Sequence, residues 1–198
     1  MIKEGDFVEI EYEGIVKETG EVFERSGKPV IIPVGKGYLP SFLDKKLINL
    51  EEGKEYVFEF EPKEAFGERD PNLIKIIPVK EFLKRGINPV PGLIVNVNGI
   101  LGTVLSVTSG RVIVDFNHPL AGKHIIYKIK VKRKVTDLKE KIAGLLEYIF
   151  NIDMKDKVEI KDKTLILKIK DIVRNVEPLE RLLKEVIPEI KDFKIELQ

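Results

Sequence analysis

The sequence contains no cysteine, no tryptophan and only two histidines among 198 residues. Without cysteine the chain has no disulfide, no thiolate metal ligand and no cysteine nucleophile, and two histidines leave few ways to build a zinc centre. We therefore expect neither a metal site nor a cofactor.

Net charge is also nearly absent, because 34 basic residues are balanced by 33 acidic ones. No global field attracts a polyanion, so nucleic acid is not an expected partner. No apolar run approaches the roughly 20 residues that span a bilayer, and the first residues do not resemble a signal peptide. We expect a soluble, cytoplasmic protein without a membrane partner. Its length favours two or three small domains over one.

Charge is missing locally as well: residues 86–110 contain no Asp, Glu, Lys or Arg, although such residues make up 34% of the chain. Within this segment Asn98-Gly99 is typical of a type I′ hairpin, and Ser109-Gly110 predicts a second turn. The alternating apolar residues on either side predict strands. We interpret the segment as a small all-β insert whose apolar side chains mostly fill its own core, with some exposed.

In the regions on both sides of this insert, apolar and polar residues alternate as in half-buried antiparallel strands. Val8, Ile10 and Tyr12 share one strand face, and the alternation resumes at residues 125–132. One helix face is predicted between the strands, from the spacing of Leu39, Phe42, Leu43, Leu47 and Leu50. These regions predict one module whose sequence is split by the insert.

The tail from about residue 135 predicts a third, α+β unit. Asp137 and Glu140 form a plausible capping pair before a helix, and Pro178 opens a second one. Alternating apolar residues that begin at Val158 and at Leu165 predict the two strands of a hairpin. Phe193 begins a last predicted strand. A unit of about 60 residues buries only a small core. We therefore hypothesise that it dimerises.

Three weaker patterns have structural interpretations that outweigh functional ones. Gly35-Lys36-Gly37 lacks the spacing of a phosphate-binding loop and predicts a tight turn. His118 and His124 have no acidic cluster beside them in sequence, which favours turn and surface roles over metal ligation. The alternating lysines at 128, 130 and 132 predict a solvated sheet face.

Several segments together resemble the FKBP family of peptidyl-prolyl cis-trans isomerases. They are residues 7–12, 22–24, 35–42 and Ala65-Phe66-Gly67, in the order of that fold. An insert that enters after residues 65–71 and leaves through residues 117–122 resembles the insert-in-flap domain of the SlyD-like branch. The tail is similar to the extension of long archaeal members.

The resemblance implies an α+β fold, in which an antiparallel FKBP sheet wraps around a short helix and carries an inserted all-β domain and a C-terminal α+β domain. It divides the chain into an isomerase domain (1–68 plus 121–134), an insert-in-flap chaperone domain (69–120) and a C-terminal extension (135–198).

The resemblance also implies the functional residues. The residues that match the catalytic pocket are Tyr12, Phe23, Glu24, Leu39, Phe42, Phe66 and Tyr127. The expected substrate-binding residues are Tyr38, Ile76, Leu93, Leu101, Leu120 and Ala121. Strand alternation independently turns Tyr12 and Tyr127 toward the core side of the sheet.

The function implied is isomerisation of X-Pro bonds together with folding-chaperone activity, and the partners are unfolded or proline-containing polypeptides. One alternative is a holding chaperone with little isomerase activity. Another takes the insert as a small nucleic-acid-binding barrel, against which its lack of charge argues. Homodimerisation would use the C-terminal domain.

Overall fold

The computed structural model describes residues 1–198 and has an α+β fold, with mostly antiparallel strands and few helices, as predicted. The strands are β1 (Phe7–Val16), β2 (Val22–Arg25), β3 (Val30–Pro33), β4 (Glu55–Phe60), β5 (Ile74–Pro78), β6 (Ile94–Val97), β7 (Ile100–Thr108), β8 (Arg111–Asp115), β9 (Ile125–Val135), β10 (Val158–Lys161), β11 (Thr164–Leu167) and β12 (Lys194–Leu197). The helices are α1 (Ser41–Asp44), α2 (Val79–Leu83), α3 (Leu138–Phe150) and α4 (Glu177–Val186).

The chain forms two compact units. The first contains residues 1–15, 20–59 and 126–198, and the second contains residues 16–19 and 60–125. Residues 135–198 thus belong to the same compact unit as most of the first 59 residues. The finer division into three domains stays a prediction.

The first unit is built on a five-stranded sheet in the order β2-β1-β9-β4, with β3 also paired to β1. Val8 and Ile10 point inward and are fully buried, whereas Glu9, Glu11 and Glu13 alternate with them on the outer face. The predicted lysines lie on the same outer face, where Lys130 pairs with Glu55 at 2.7 Å and Lys132 with Glu11 at 3.0 Å. The split module is therefore one sheet.

The helix predicted over Leu39–Leu50 is shorter than its apolar spacing indicates. α1 covers only Ser41–Asp44, and the tighter 3₁₀ turn Lys45–Leu47 follows it. Ile48 is extended and ends the helical segment, and Asn49 follows it with a left-handed φ of 70°. Leu43 and Leu47 still point into the core and are fully buried.

The C-terminal residues pack against this sheet. The side chain of Asp137 accepts a hydrogen bond from the backbone N–H of Glu140 at 2.8 Å, so the predicted cap begins α3. α3 packs on β3, and Phe7 and Val135 join the core that the tail forms around Leu145 and Leu183. Strands β10 and β11 form the predicted hairpin, and β12 adds to β11 in parallel.

The second unit contains a four-stranded sheet in the order β5-β8-β7-β6. Asn98 (φ 54°) and Gly99 (φ 86°) form the predicted turn between β6 and β7. Val95, Val104 and Val112 face a core that Phe82 of α2 closes. Neither β5 nor α2 was predicted, because Pro78 at their junction interrupts both patterns.

No helix in the structure is both long enough and apolar enough to cross a membrane.

Candidate active site

Tyr127 on β9 lies at the centre of the predicted pocket and is completely buried. Phe23 meets its ring edge to face, with centroids 5.8 Å apart, and the Phe42 ring lies 6.1 Å away. The Tyr127 hydroxyl donates a hydrogen bond to the carboxylate of Glu24 on β2. Burial raises the pKa of Tyr127, and the hydrogen bond to Glu24 raises it further. Tyr127 therefore stays protonated as a donor.

Gly14 makes this close packing possible, and no pattern in the sequence predicted it. A Cβ at position 14 would lie 2.6 Å from Cζ of Phe23 and 3.0 Å from Cε1 of Tyr127. Real Cβ atoms do not approach other heavy atoms at 2.6 Å. The missing side chain of β1 therefore allows both rings to lie against the strand.

Tyr12 lies two residues before Gly14, on the same face of β1, and is half-buried. Its backbone N–H donates to Oγ of Ser26 at 3.2 Å, which ties β1 to the residues after β2. Burial raises the pKa of Tyr12, with further contributions from the nearby Tyr148 hydroxyl and the Glu24 carboxylate. Tyr12 and Tyr127 are therefore both neutral phenols beside one carboxylate.

Leu39 and Tyr38 follow the glycine-containing turn before α1. The backbone amides of Gly35 and Gly37 donate to the carboxylate of the buried Asp44, at 2.8 and 3.0 Å. Asp44 thus occupies the amides that a phosphate would need, and the segment is a turn, as predicted. Leu39 is buried and Tyr38 is half-buried.

Tyr148 on α3 lies beside these residues and was not predicted. Its hydroxyl donates to the backbone carbonyl of Tyr38 at 2.7 Å, and the two rings meet edge to face at 6.1 Å. Position 148 lies outside the apolar stripe by which α3 was predicted. Sequence pattern alone therefore could not associate it with residues 110 positions away.

The other predicted site residues lie in the second unit. Phe66 stacks on His118 with centroids 4.8 Å apart, and Nδ1 of His118 accepts from the amide of Leu120. Ile76 and Leu101 are exposed by 63% and 62%. The remaining three are more enclosed: Leu93 packs on the core of the insert, Leu120 is half-buried and Ala121 is buried.

The second histidine has a carboxylate neighbour that is distant in sequence. The carboxylate of Glu18 lies 2.7 Å from Nδ1 of His124, and it also accepts a hydrogen bond from the backbone amide of His124. These bonds lower the pKa of Glu18 to about 2. His124 thus ties residues 16–19 to the start of β9.

In chemical terms, the first unit brings together an aromatic surface made by Phe23, Phe42 and Tyr127, with Tyr12 on the same side of β1 as Gly14, which the rings of Phe23 and Tyr127 approach. Its one carboxylate, Glu24, is already engaged by the hydroxyl of Tyr127. Such a surface can keep an apolar group out of water and offers that group few polar side chains.

The chain is similar to known isomerases over much of its length. Residues 1–84 match the family described as FKBP-type peptidyl-prolyl cis-trans isomerase, and residues 75–120 match "FKBP26, IF domain". The "Short-type peptidyl-prolyl cis-trans isomerase" of Methanocaldococcus jannaschii is 32% identical over 146 residues, which cover 67% of this chain and 93% of the relative.

Two bacterial relatives extend the comparison. The "FKBP-type 16 kDa peptidyl-prolyl cis-trans isomerase" of Escherichia coli is 30% identical, covering 57% of this chain and 78% of the relative. The "FKBP-type peptidyl-prolyl cis-trans isomerase SlyD" of Aeromonas hydrophila is 30% identical, covering 63% and 60%. The chain belongs to the FKBP-type peptidyl-prolyl cis-trans isomerase family and is an enzyme of that type.

Proposed function

We propose that this isomerase is of the SlyD-like kind, that it rotates X-Pro bonds in the aromatic pocket around Tyr127, and that its insert binds unfolded polypeptides as a chaperone. The observation that carries the chaperone activity is a row of exposed apolar side chains on one face of the insert sheet. We call it the outer apolar face; it consists of Ile76, Ile94, Leu101 and Leu105.

The outer apolar face follows from strand alternation. Ile77, Val95 and Val104 point into the core of the insert, so their neighbours point the other way. Ile76, Ile94 and Leu101 are each more than 60% exposed, and Leu105, at a bulge of β7, is 43% exposed. An exposed apolar surface on three strands of a small sheet is a typical interaction site.

The occupant that fits this face is an apolar polypeptide segment. Residues 86–110 supply most of the face and contain no charged side chain, whereas binding to nucleic acid needs lysine and arginine near the phosphates. Unfolded chains expose the apolar residues that such a face can cover. This charge pattern favours polypeptide clients over RNA or DNA.

Isomerisation in the pocket requires no acid, base or nucleophile. The barrier of about 18 to 20 kcal/mol arises because amide resonance is lost in the twisted transition state. Removing the prolyl amide from water weakens that resonance, and walls shaped for the twisted form bind it better than either planar isomer. Phe23, Phe42 and Tyr127 would supply those walls.

A peptide assay tests the pocket. The cis-to-trans relaxation of a short X-Pro peptide is measured with wild type, Phe23→Ala and Tyr127→Ala, all at catalytic concentrations. We expect the two variants to lose most of the acceleration. The control Leu83→Ala changes an apolar side chain that is 57% exposed and lies in the second unit, and it should stay active. Full activity of folded Phe23→Ala and Tyr127→Ala would refute the pocket.

A binding assay tests the insert. The ligand is a carboxymethylated protein that cannot fold, and affinity is compared between wild type and the double variant Ile76→Ser with Leu101→Ser. We expect a large loss of affinity and unchanged activity on short peptides. Val57→Ser provides the matched control, because Val57 is 67% exposed but lies in the first unit. Equal losses in variant and control would exclude a specific client face.

We also retain the proposal of a homodimer through the C-terminal domain. The extension already covers part of its apolar surface within the same chain, by packing α3 on β3. The mass in solution distinguishes a dimer from a monomer of 22.6 kDa, and a monomer at all concentrations would rule the proposal out.

A further inference from the structure

The C-terminal extension supplies a polar contact at the edge of the aromatic pocket. Tyr148 of α3 donates from its hydroxyl to the backbone carbonyl of Tyr38, which immediately precedes the pocket residue Leu39. The edge-to-face contact between the Tyr38 and Tyr148 rings adds to this bond. The segment that leads into α1 is therefore fastened to the extension.

Tyr148 also lies near Tyr12. The two side chains border one cavity of about 320 Å³, and after burial the neighbouring Tyr148 is the next cause that raises the pKa of Tyr12. A phenol has one proton to donate and lone pairs to accept. Because the Tyr148 proton is directed at the Tyr38 carbonyl, the Tyr148 hydroxyl can only accept a hydrogen bond from any other group in this cavity.

Tyr12 is thus bordered by a side chain of the extension as well as by residues that follow β2. Two further contacts fix the position of α3 on the sheet. Gly144 of α3 lies against Ile31 of β3, and Arg133 of β9 donates to both Glu9 of β1 and Glu140 of α3. The hydroxyl of Tyr148 therefore has a defined position relative to β1.

We propose that Tyr148 is a positioning residue of the isomerase, through which the C-terminal extension holds Tyr12 and the Tyr38–Leu39 segment in the geometry of the pocket. The inference rests on the pocket proposed above. It gives the extension a role in catalysis that does not depend on dimerisation, and it predicts that a change in a helix of the extension alters turnover.

The test is a double-mutant cycle in the full chain, with kcat/KM measured on a short X-Pro peptide. Tyr148→Phe keeps the ring and removes only the hydroxyl, so we expect kcat/KM to fall about 3- to 10-fold, equivalent to one typical hydrogen bond. In a Tyr12→Phe background the same substitution should cost less, because the two side chains border one cavity and their effects are coupled.

A spectroscopic measurement separates positioning from simple loss of structure. The chain has five tyrosines, so the Cζ resonances of ¹³C-tyrosine-labelled protein can be assigned from the five Tyr→Phe variants. Tyr148→Phe should shift the Tyr12 resonance and leave that of Tyr56 unchanged. Tyr56→Phe is the matched control for activity, since it also removes a single tyrosine hydroxyl, one that accepts from the backbone amide of Glu51 at 2.9 Å, in the turn before β4.

The outcomes are distinguishable. Wild-type kcat/KM in Tyr148→Phe, while Phe23→Ala is inactive, would overturn the role of Tyr148 and leave the pocket intact. The same loss in the wild-type and Tyr12→Phe backgrounds, with no shift of the Tyr12 resonance, would show a merely structural contribution and also overturn it. Full activity of Phe23→Ala would overturn the pocket and this inference together.

Discussion

Gly14 shows how a residue without a side chain can shape the proposed catalytic pocket. The rings of Phe23 and Tyr127 lie where its Cβ would be. The atom that approaches most closely is Cζ of Phe23, at the far end of the ring, so the ring can turn away without moving the backbone. A side chain at position 14 would therefore displace the Phe23 ring and would have a smaller effect on the stability of the fold.

We predict that Gly14→Ala lowers kcat/KM at least 10-fold and the free energy of unfolding by only about 1–3 kcal/mol, as for overpacking in a core. Peptide isomerisation and denaturant unfolding measure the two quantities. Glu13→Ala is the control, because Glu13 is the neighbouring residue on the outer face of β1. Normal activity in Gly14→Ala would mean that the position of the Phe23 ring does not limit catalysis.

At this scale the sequence predicted some site residues and missed others, for a physical reason. Tyr12 and Tyr127 could be placed because strand alternation determines which face a side chain occupies. Tyr148 is brought to Tyr38 by the docking of a helix, and Gly14 is recognised only from the rings beside it. Local periodicity contains no information about such contacts between distant segments.

Among the elements, α3 connects the extension to the isomerase sheet through a close helix-to-strand contact. A Cβ at Gly144 would lie 2.5 Å from Cβ and 2.7 Å from Cδ1 of Ile31 on β3. Cβ of Ile31 is attached directly to the sheet backbone and cannot turn away. The glycine is therefore needed for the approach of the helix, although glycine is a poor residue inside helices.

We predict that Gly144→Ala destabilises the protein by about 1–2 kcal/mol, since overpacking of about 1–3 kcal/mol outweighs a gain in helix propensity of up to about 1 kcal/mol. Thermal unfolding measures the change. Lys139→Ala, at an exposed position of the same helix, should leave stability nearly unchanged. A Gly144→Ala variant more stable than wild type would show that α3 is not closely packed on β3 in solution.

The ion pair between Arg133 and Glu140 makes the attachment of α3 dependent on pH. The hydrogen bonds from Arg133 lower the pKa of Glu140 from its ordinary value of 4.5. Because folding lowers this pKa, the contribution to stability is complete above pH 4.5 and is lost as the pH falls through the lower, folded-state value. Both side chains are more than one-third exposed, so the contribution is only about 0.5–1 kcal/mol.

We therefore predict that Glu140→Gln is less stable than wild type at pH 7 and that the difference shrinks as the pH falls below 4.5. Unfolding free energies of both proteins from pH 7 into the acid range test the prediction. Glu185→Gln replaces an exposed carboxylate on α4 and should match wild type throughout. A difference that stays constant at every pH at which the protein remains folded would assign the effect of Glu140→Gln to packing and not to the charge.

The elements that the sequence predicted are those with a strong local signal. Asn98-Gly99 can adopt the left-handed angles of its hairpin turn, and Asp137 can cap α3, so both were predicted at the right residues. The extent of α1 was wrong because apolar spacing continues through a 3₁₀ turn. β5 and α2 were missed because each covers only five residues and Pro78 interrupts the pattern at their junction.

In the whole molecule, one chain carries two proposed binding surfaces, the aromatic pocket of the first unit and the outer apolar face of the second. The chain crosses between the units four times, at residues 15/16, 19/20, 59/60 and 125/126. A client held by the insert is therefore linked to the pocket at an effective concentration of the order of millimolar, which is typical of short linkers. Free enzyme in an assay is about a thousand times more dilute.

This linkage predicts the behaviour of a mixture. The substrate is an unfolded protein whose refolding is limited by a prolyl bond, and the two variants are Phe23→Ala, with its pocket impaired, and Ile76→Ser with Leu101→Ser, with its client face impaired. Each alone should accelerate refolding poorly, and an equimolar mixture should do no better than the sum of the two. The second variant should retain wild-type activity on a short peptide, which needs no client face. If the mixture instead restores the wild-type rate, clients pass between molecules freely, and the joining of the two surfaces in one chain has no catalytic consequence.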